Sequence, residues 1–478
     1  MNKKKNVLID ETFFDEYLST QGGIRKDLKK SYKFFQNLKP SKRRSLQAQS
    51  EDAISTMGIT FQLYKGGIID RAWPLDIIPR IINHSKWIKV ELGLKQRIKA
   101  LNLFIDDVYN QQRFLKLNPV LKDLVLDSSN FLPECKGIHP KNKIWSNICG
   151  TDLIRDHNGK FLVLEDNLRV PSGVAYMLEN RNVMKKVIPE IFDGYDVNPI
   201  DDYPSQLFKC LSDSAFTTKK VKKIVLLTPG IFNSAYFEHS HLAQQMGIEI
   251  VEPHDLYVSS SKNVLMRTIN GPKKVDVIYR RVDDIYIDPI AWRSDSAIGI
   301  PGIYEAWKKK KVSIVNAPGS GVADDKAVYA FVPKMIEFFL NEKPIISQVK
   351  TYVCAFKKDC KFVLNNIEKL VIKPVNESGG YGILIGPKAS KNDIKKYQQK
   401  IRNNPRNFVA QPLIKLSTSP TLIGNKMEPR HLDLRPFILS GKKIFVTSGG
   451  LTRVAMKKNS TIVNSSQGGG SKDTWIIH

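Results

Sequence analysis

The sequence predicts a mixed α/β (α+β) protein built from several units, on three observations. Apolar residues at helical spacing dominate residues 11 to about 115, buried strands alternate with a helix over 221–300, and strand patterns prevail towards the C-terminus. A chain of 478 residues is also too long for one hydrophobic core. The expected division is a mainly helical region over 1–115, a strand-rich part over 116–200, a small α/β unit over 201–304 and a second strand-rich part over 305–478.

In chain order, FFDEYL, SYKFFQNL and GLKQRIKALNLFIDDVYNQQRFL carry the spaced apolar positions of helices. From Lys143 to Val170 the pattern changes to two strands around the turn HNGK. In the α/β unit KKIVLLTPG reads as a buried strand, YFEHSHLAQQMG as a helix ended by glycine, and IEIVEP and VDVIYRRVDD as strands. A helix-rich stretch, ADDKAVYAFVPKMIEFFL, precedes the final strands.

Lys and Arg outnumber Asp and Glu by 74 to 47, a formal charge of +27 that favours anionic partners. The short clusters at Lys3–Lys5, Lys219–Lys223 and Lys308–Lys311 lack interleaved aromatics, so nucleic acid is not expected as a partner. Five cysteines without a CxxC pair argue against a disulfide framework and for a reducing compartment. The N-terminus lacks an apolar signal core and no apolar run is long enough to span a bilayer, so the expected location is cytoplasmic.

Four stretches carry the chemistry. In FLVLEDNLRVPSG, Glu165, Asn167 and Arg169 are two apart on a strand and project from one face, with Asp152 on the preceding strand able to face the same spot. Hard oxygens beside a guanidinium suit magnesium and phosphate, although a half-exposed strand with polar residues outward has the same pattern. In LVIKPVNESGGYGILIGP, Lys373 precedes a glycine hairpin whose backbone N–H groups can approach a polyphosphate; a tight hairpin with a solvated lysine is the plain alternative. NAPGSGVADDKAVYAFVP places Lys326 at a helix start, and RHLDLRPFILSG puts Asp433 and Arg435 on one face. Arg453 lies on a strand before NSSQGGG, which is not a P-loop because no GK[ST] ends it. A protein kinase is disfavoured: Ile438 stands where the magnesium-binding asparagine would, and no DFG follows.

Together, Lys326, IKP with Lys373, SGGYG, AQPLI, DLRPFIL, Arg453 and NSSQGGG resemble the nucleotide-binding half of ATP-grasp carboxylate–amine ligases. In ordinary members the acidic strand pair follows these motifs, whereas here GTDLIRDHNGKFLVLEDN precedes them. The chain therefore looks like a circularly permuted ATP-grasp protein, similar in arrangement to glutathionylspermidine synthase and closer still to an uncharacterised bacterial family of permuted proteins. That resemblance runs from about Leu92 to the C-terminus. It implies an ATP-grasp fold with a pre-ATP-grasp-like α/β unit, and ATP and Mg2+ as cofactors. Lys326, Lys373, Gly379, Gly380 and Gly382 would hold phosphates; Gln411 and Leu413 would contact adenine; Asp152, Glu165 and Asn167 would bind magnesium. Arg435 and Arg453 would stabilise the transferring phosphoryl group, and Arg169, Ser172, Gly173, Arg280, Arg281 and Asp283 would line the site for small-molecule or peptide carboxylate and amine substrates. The implied reaction forms an amide through an acyl phosphate; a small-molecule kinase and a nucleotide-binding protein without turnover are the alternatives. No amidase-type part with its own cysteine, histidine and acidic partner is evident, so glutathione and spermidine are not carried over.

Overall fold

Strands from opposite ends of the chain lie side by side in a ten-stranded sheet. The computed structural model describes residues 13–478 except 20, 65–67, 376–381, 459, 461–462 and 465–467. The main path of the sheet runs Ser347–Gln348, Phe161–Asn167, Ile148–Arg155, Lys426–Arg435, Leu451–Val454, Gly470–Ile477 and Leu75–Asn83. The hairpin strands Ile148–Arg155 and Phe161–Asn167 thus join the C-terminal strands, with Leu153 opposite Leu434 in antiparallel pairing. Leu153, Val163 and Leu434 enter one apolar core, and burial of these faces outweighs the loop entropy of joining distant segments.

Two smaller sheets flank it. Ser313–Val315, Val277–Arg280, Ile224–Leu227 and Glu249–Val251 pair in parallel, in that order. The helix Tyr236–Met246 packs beside them and stops at Gly247, whose φ of 65° favours a residue without Cβ. A four-stranded antiparallel sheet orders Tyr352–Val353, Phe408–Pro412, Leu370–Pro374 and Leu384–Ile385. Strand alternation sorts its faces: Leu370, Ile372 and Ala410 enter a core of their own, leaving Lys373 and Gln411 on the other face.

The mixed α/β architecture is as expected, but the first 115 residues hold more strand than their spacing signals. Helices occupy Lys29–Asn37, Pro40–Thr56 and His84–Tyr109, while Thr60–Tyr64 and Ile68–Ala72 form a strand pair. Leu75–Asn83 runs parallel to Gly470–Ile477 and is almost wholly buried, and a strand covered on both faces shows no alternation to read. FFDEYL forms no helix; instead Asp15 and Leu18 make isolated bridges to Thr418 and Ile24. Among the described residues no helix is long and apolar enough to cross a membrane.

Candidate functional site

A bulge decides where Glu165 points. Asp152 pairs with Glu165 but Leu153 pairs with Val163, leaving Leu164 as the extra residue. Strict alternation from Val163, which is in the core, would send Glu165 into that core. The bulge instead turns it to the face of Asp152, and Asp166 takes the inward position. There Arg97 donates to both Asp166 oxygens at 2.6–3.0 Å and Thr151 donates at 3.1 Å, which anchors the strand from behind.

Facing Glu165 are both lysines. Lys326 Nζ lies 3.6 Å from Glu165 Oε1, and Lys373 Nζ donates to Gln411 Oε1 at 2.7 Å. Leu164, Glu165, Asp324, Lys326, Lys373 and Gln411 line one cleft. Lys326 opens a short helix because the Asp325 carboxylate accepts from Ala327 N at 2.8 Å. Burial, with Lys326 adding to it, lowers Lys373 to about 8, and Glu165 and Asp152 only partly compensate. A group so placed gains most from an incoming anion.

On the same sheet face the two arginines meet two aspartates. Arg435 holds Asp152 through Nε at 2.5 Å and Nη2 at 2.9 Å, and Arg453 reaches Asp152 at 2.8 Å and Asp433 at 2.9 Å. Burial opposes charge on Asp152, yet the two guanidiniums overcome it and hold the carboxyl at about 2. Gly150 leaves room for this arrangement, since a Cβ there would lie 3.2 Å from Arg435 Cδ.

The residues predicted to handle substrate divide into three. Arg281 donates to Pro171 O, Ser172 Oγ and Glu238, while Gly173 N and Ala175 N donate to Glu238, so Ser172, Gly173 and Arg281 form one buried joint. Arg169 lies beyond the strand end at Asn167, not on the strand face with Glu165. Its Nε donates to Asp324 at 3.0 Å and its Nη1 to Asp283 at 3.3 Å. Arg280 is buried against Asn316 O, Val282 O and Asp284, and meets none of the cleft residues. Asn167 turns its amide to Gly150 O at 3.1 Å.

Gly382 adopts φ 65°, and a Cβ there would lie 2.9 Å from Pro374, so glycine suits the end of the hairpin. Gly379 and Gly380 lie outside the described residues. Leu413 sits half-buried on the connection after Phe408–Pro412. Among the described residues no group of three His, Cys, Asp or Glu side chains suited to a metal occurs. Asp152, Glu165 and Asn167 offer two carboxylates and an amide, a hard-oxygen set that fits magnesium arriving with phosphate oxygens and water. Two residues escaped the sequence reading, Asp324 and Glu238, and Asp433 was read only as sharing a face with Arg435. Asp324 stood near Lys326 in a quoted motif, and that nearness was its only signal.

The family described as circularly permuted ATP-grasp type 2 matches residues 79–455. An uncharacterised protein of Synechocystis is 49% identical over 97% of each chain. A Frankia casuarinae protein with the printed name "Putative glutamate--cysteine ligase 2-2" is 37% identical over 97% of this chain, which spans 54% of that protein. A glutathione synthetase-like effector from Globodera pallida, solved in its apo form, shares the fold. Its TM-score is 0.62 at 12% identity, covering 92% of this chain and 98% of that one.

Proposed function

Because this chain belongs to the circularly permuted ATP-grasp type 2 family, we propose that it is an ATP- and magnesium-dependent ligase. It joins an amino-acid or short-peptide carboxylate to an amine through an acyl phosphate. One observation carries the reading: Glu165, Lys326, Lys373 and Gln411, drawn from three distant segments, line a single cleft beside Asp152 and two arginines. The Frankia name lends support to the ligase class; it belongs to a protein of which this chain spans 54%, so it does not transfer substrates.

Lys326 and Lys373 neutralise phosphate oxygens of ATP, and Gln411 orients Lys373 from beneath. Asp152, Glu165 and Asn167 would hold magnesium, which supplies charge neutralisation between phosphates. The substrate carboxylate attacks the γ-phosphoryl group, the amine displaces phosphate, and an amide forms. Phosphoryl transfer depends on positioning and charge more than on a strong base, so no nucleophilic triad is required for that step. Arg435 and Arg453, joined through Asp152 opposite Glu165 in the sheet, stabilise the transferring group. A screen for ADP release with amino acids, short peptides and polyamines taken in pairs tests this, with product masses measured. ADP formation that needs both a carboxylate and an amine, with loss of water between them in the product, is expected. A phosphorylated product without amine would indicate a kinase, and ATP binding without turnover a nucleotide sensor.

A further inference from the structure

We propose that Asp324 is the general base that takes a proton from the attacking amine, a role that rests on the ligase reading. Its carboxylate lines the same cleft as Glu165, Lys326 and Lys373, so it borders the space where the acyl phosphate forms. Its neighbours differ from those of Glu165: Glu165 lies 3.6 Å from Lys326, whereas Asp324 pairs with Arg169. Oδ1 accepts from Leu168 N at 2.6 Å and Oδ2 from Arg169 Nε at 3.0 Å, which fixes the carboxylate plane while each oxygen keeps a second lone pair. Gly321 makes this arrangement possible, because a Cβ there would fall 2.4 Å from Arg169 Cδ.

The chemistry balances with the reactants proposed above. An ammonium substrate gives one proton to Asp324 Oδ2, and the freed nitrogen lone pair forms the N–C bond to the acyl carbon. The C–O bond to phosphate breaks, and a second nitrogen proton leaves with the phosphate. Nothing is oxidised or reduced. Burial raises the Asp324 carboxyl to about 6, against the lowering pull of Arg169, which makes it a better proton acceptor than an exposed aspartate. The other charged groups bearing on it are Asp284, which raises it further, Asp283 on the far side of Arg169, the cleft groups Glu165, Lys326 and Lys373, and the Cys149 thiol.

The test compares two amines. A mixture of the proteinogenic amino acids supplies carboxylates and ordinary ammonium-form amines, and hydroxylamine, largely unprotonated at neutral pH, supplies an amine that needs no base. Asp324→Asn and Asp324→Glu are compared with wild type by ADP release, hydroxamate formation and pH profile, after circular dichroism and ATP binding establish that each is folded. The expected result is a loss of about 100-fold or more in amide formation with amino acids for Asp324→Asn. Hydroxamate formation stays within about threefold of wild type, the acid limb of the amine pH profile disappears, and Asp324→Glu recovers part of the rate. Equal losses with both amines, or an unchanged acid limb, would overturn the assignment and leave Asp324 as a brace for Arg169. Wild-type protein that forms neither amide nor hydroxamate with this mixture, nor with the short peptides and polyamines of the paired screen, would overturn the ligase reading itself, and this assignment with it.

Discussion

Lys373 should make ATP affinity depend on pH in a narrow window. Its ammonium is buried beside Lys326, and its acidity has moved from the ordinary 10.5 to about 8. That difference corresponds to about 3 kcal/mol of disfavoured charge. A triphosphate in the cleft replaces the lost hydration and restores a high proton affinity. Below about pH 8 the lysine is already protonated, so binding needs no further proton. Above it, each complex must take up a proton from solvent, so affinity falls as pH rises. Between pH 7 and pH 9 the dissociation constant should rise about tenfold, roughly 1.4 kcal/mol. Calorimetry of ATP binding at both pH values, in buffers of different ionisation enthalpy, measures the affinity and counts the proton. Lys373→Met should bind weakly and lose the dependence. The sign for stability runs the other way: between about pH 8 and 10.5 the unfolded chain holds the extra proton, so the nucleotide-free protein gains stability as pH rises. A dissociation constant that stays flat from pH 7 to 9, with no proton taken up, would refute the placement of Lys373 against the phosphates.

Other substitutions probe the remaining parts of the site. Glu165→Gln should abolish metal-dependent ATP turnover and leave the melting temperature near wild type, because the side chain faces the cleft; retained turnover would remove it from the site. Asp152→Asn withdraws the shared counter-charge of two buried arginines and should cost about 3–5 kcal/mol in urea unfolding. The same carboxylate, held at about 2 against 3.8 unfolded, contributes stability present above about pH 4 and lost as pH falls towards 2, which an acid titration followed by circular dichroism would register. Gly321→Ala forces Arg169 from Asp324 and should destabilise the fold by about 1–3 kcal/mol, measured by thermal unfolding. An unchanged transition would show that Arg169 has room to move.

Local chemistry made much of this molecule legible from its letters alone. The apolar run broken by Lys373 reads as a strand because side chains alternate, and the helix before Gly247 ends where only a residue without Cβ is comfortable. Lys326 at a helix start and the Asp433/Arg435 pair were visible for the same reason: short-range geometry follows from residue order. Tertiary pairing decided the rest. The register shift at Leu164 turned Glu165 onto the cleft face, and no one-dimensional pattern marks a bulge. The end of the strand at Asn167 took Arg169 off the face of Glu165 and paired it with Asp324, and burial engaged Arg280 with Asp284 and backbone carbonyls instead of the cleft residues. Sequence spacing dictates which side of a strand a residue occupies only while the ladder stays regular. Which strands meet, and where their ladder slips, depends on how distant apolar faces pack together, and in this protein that packing brings Glu165 to the two lysines.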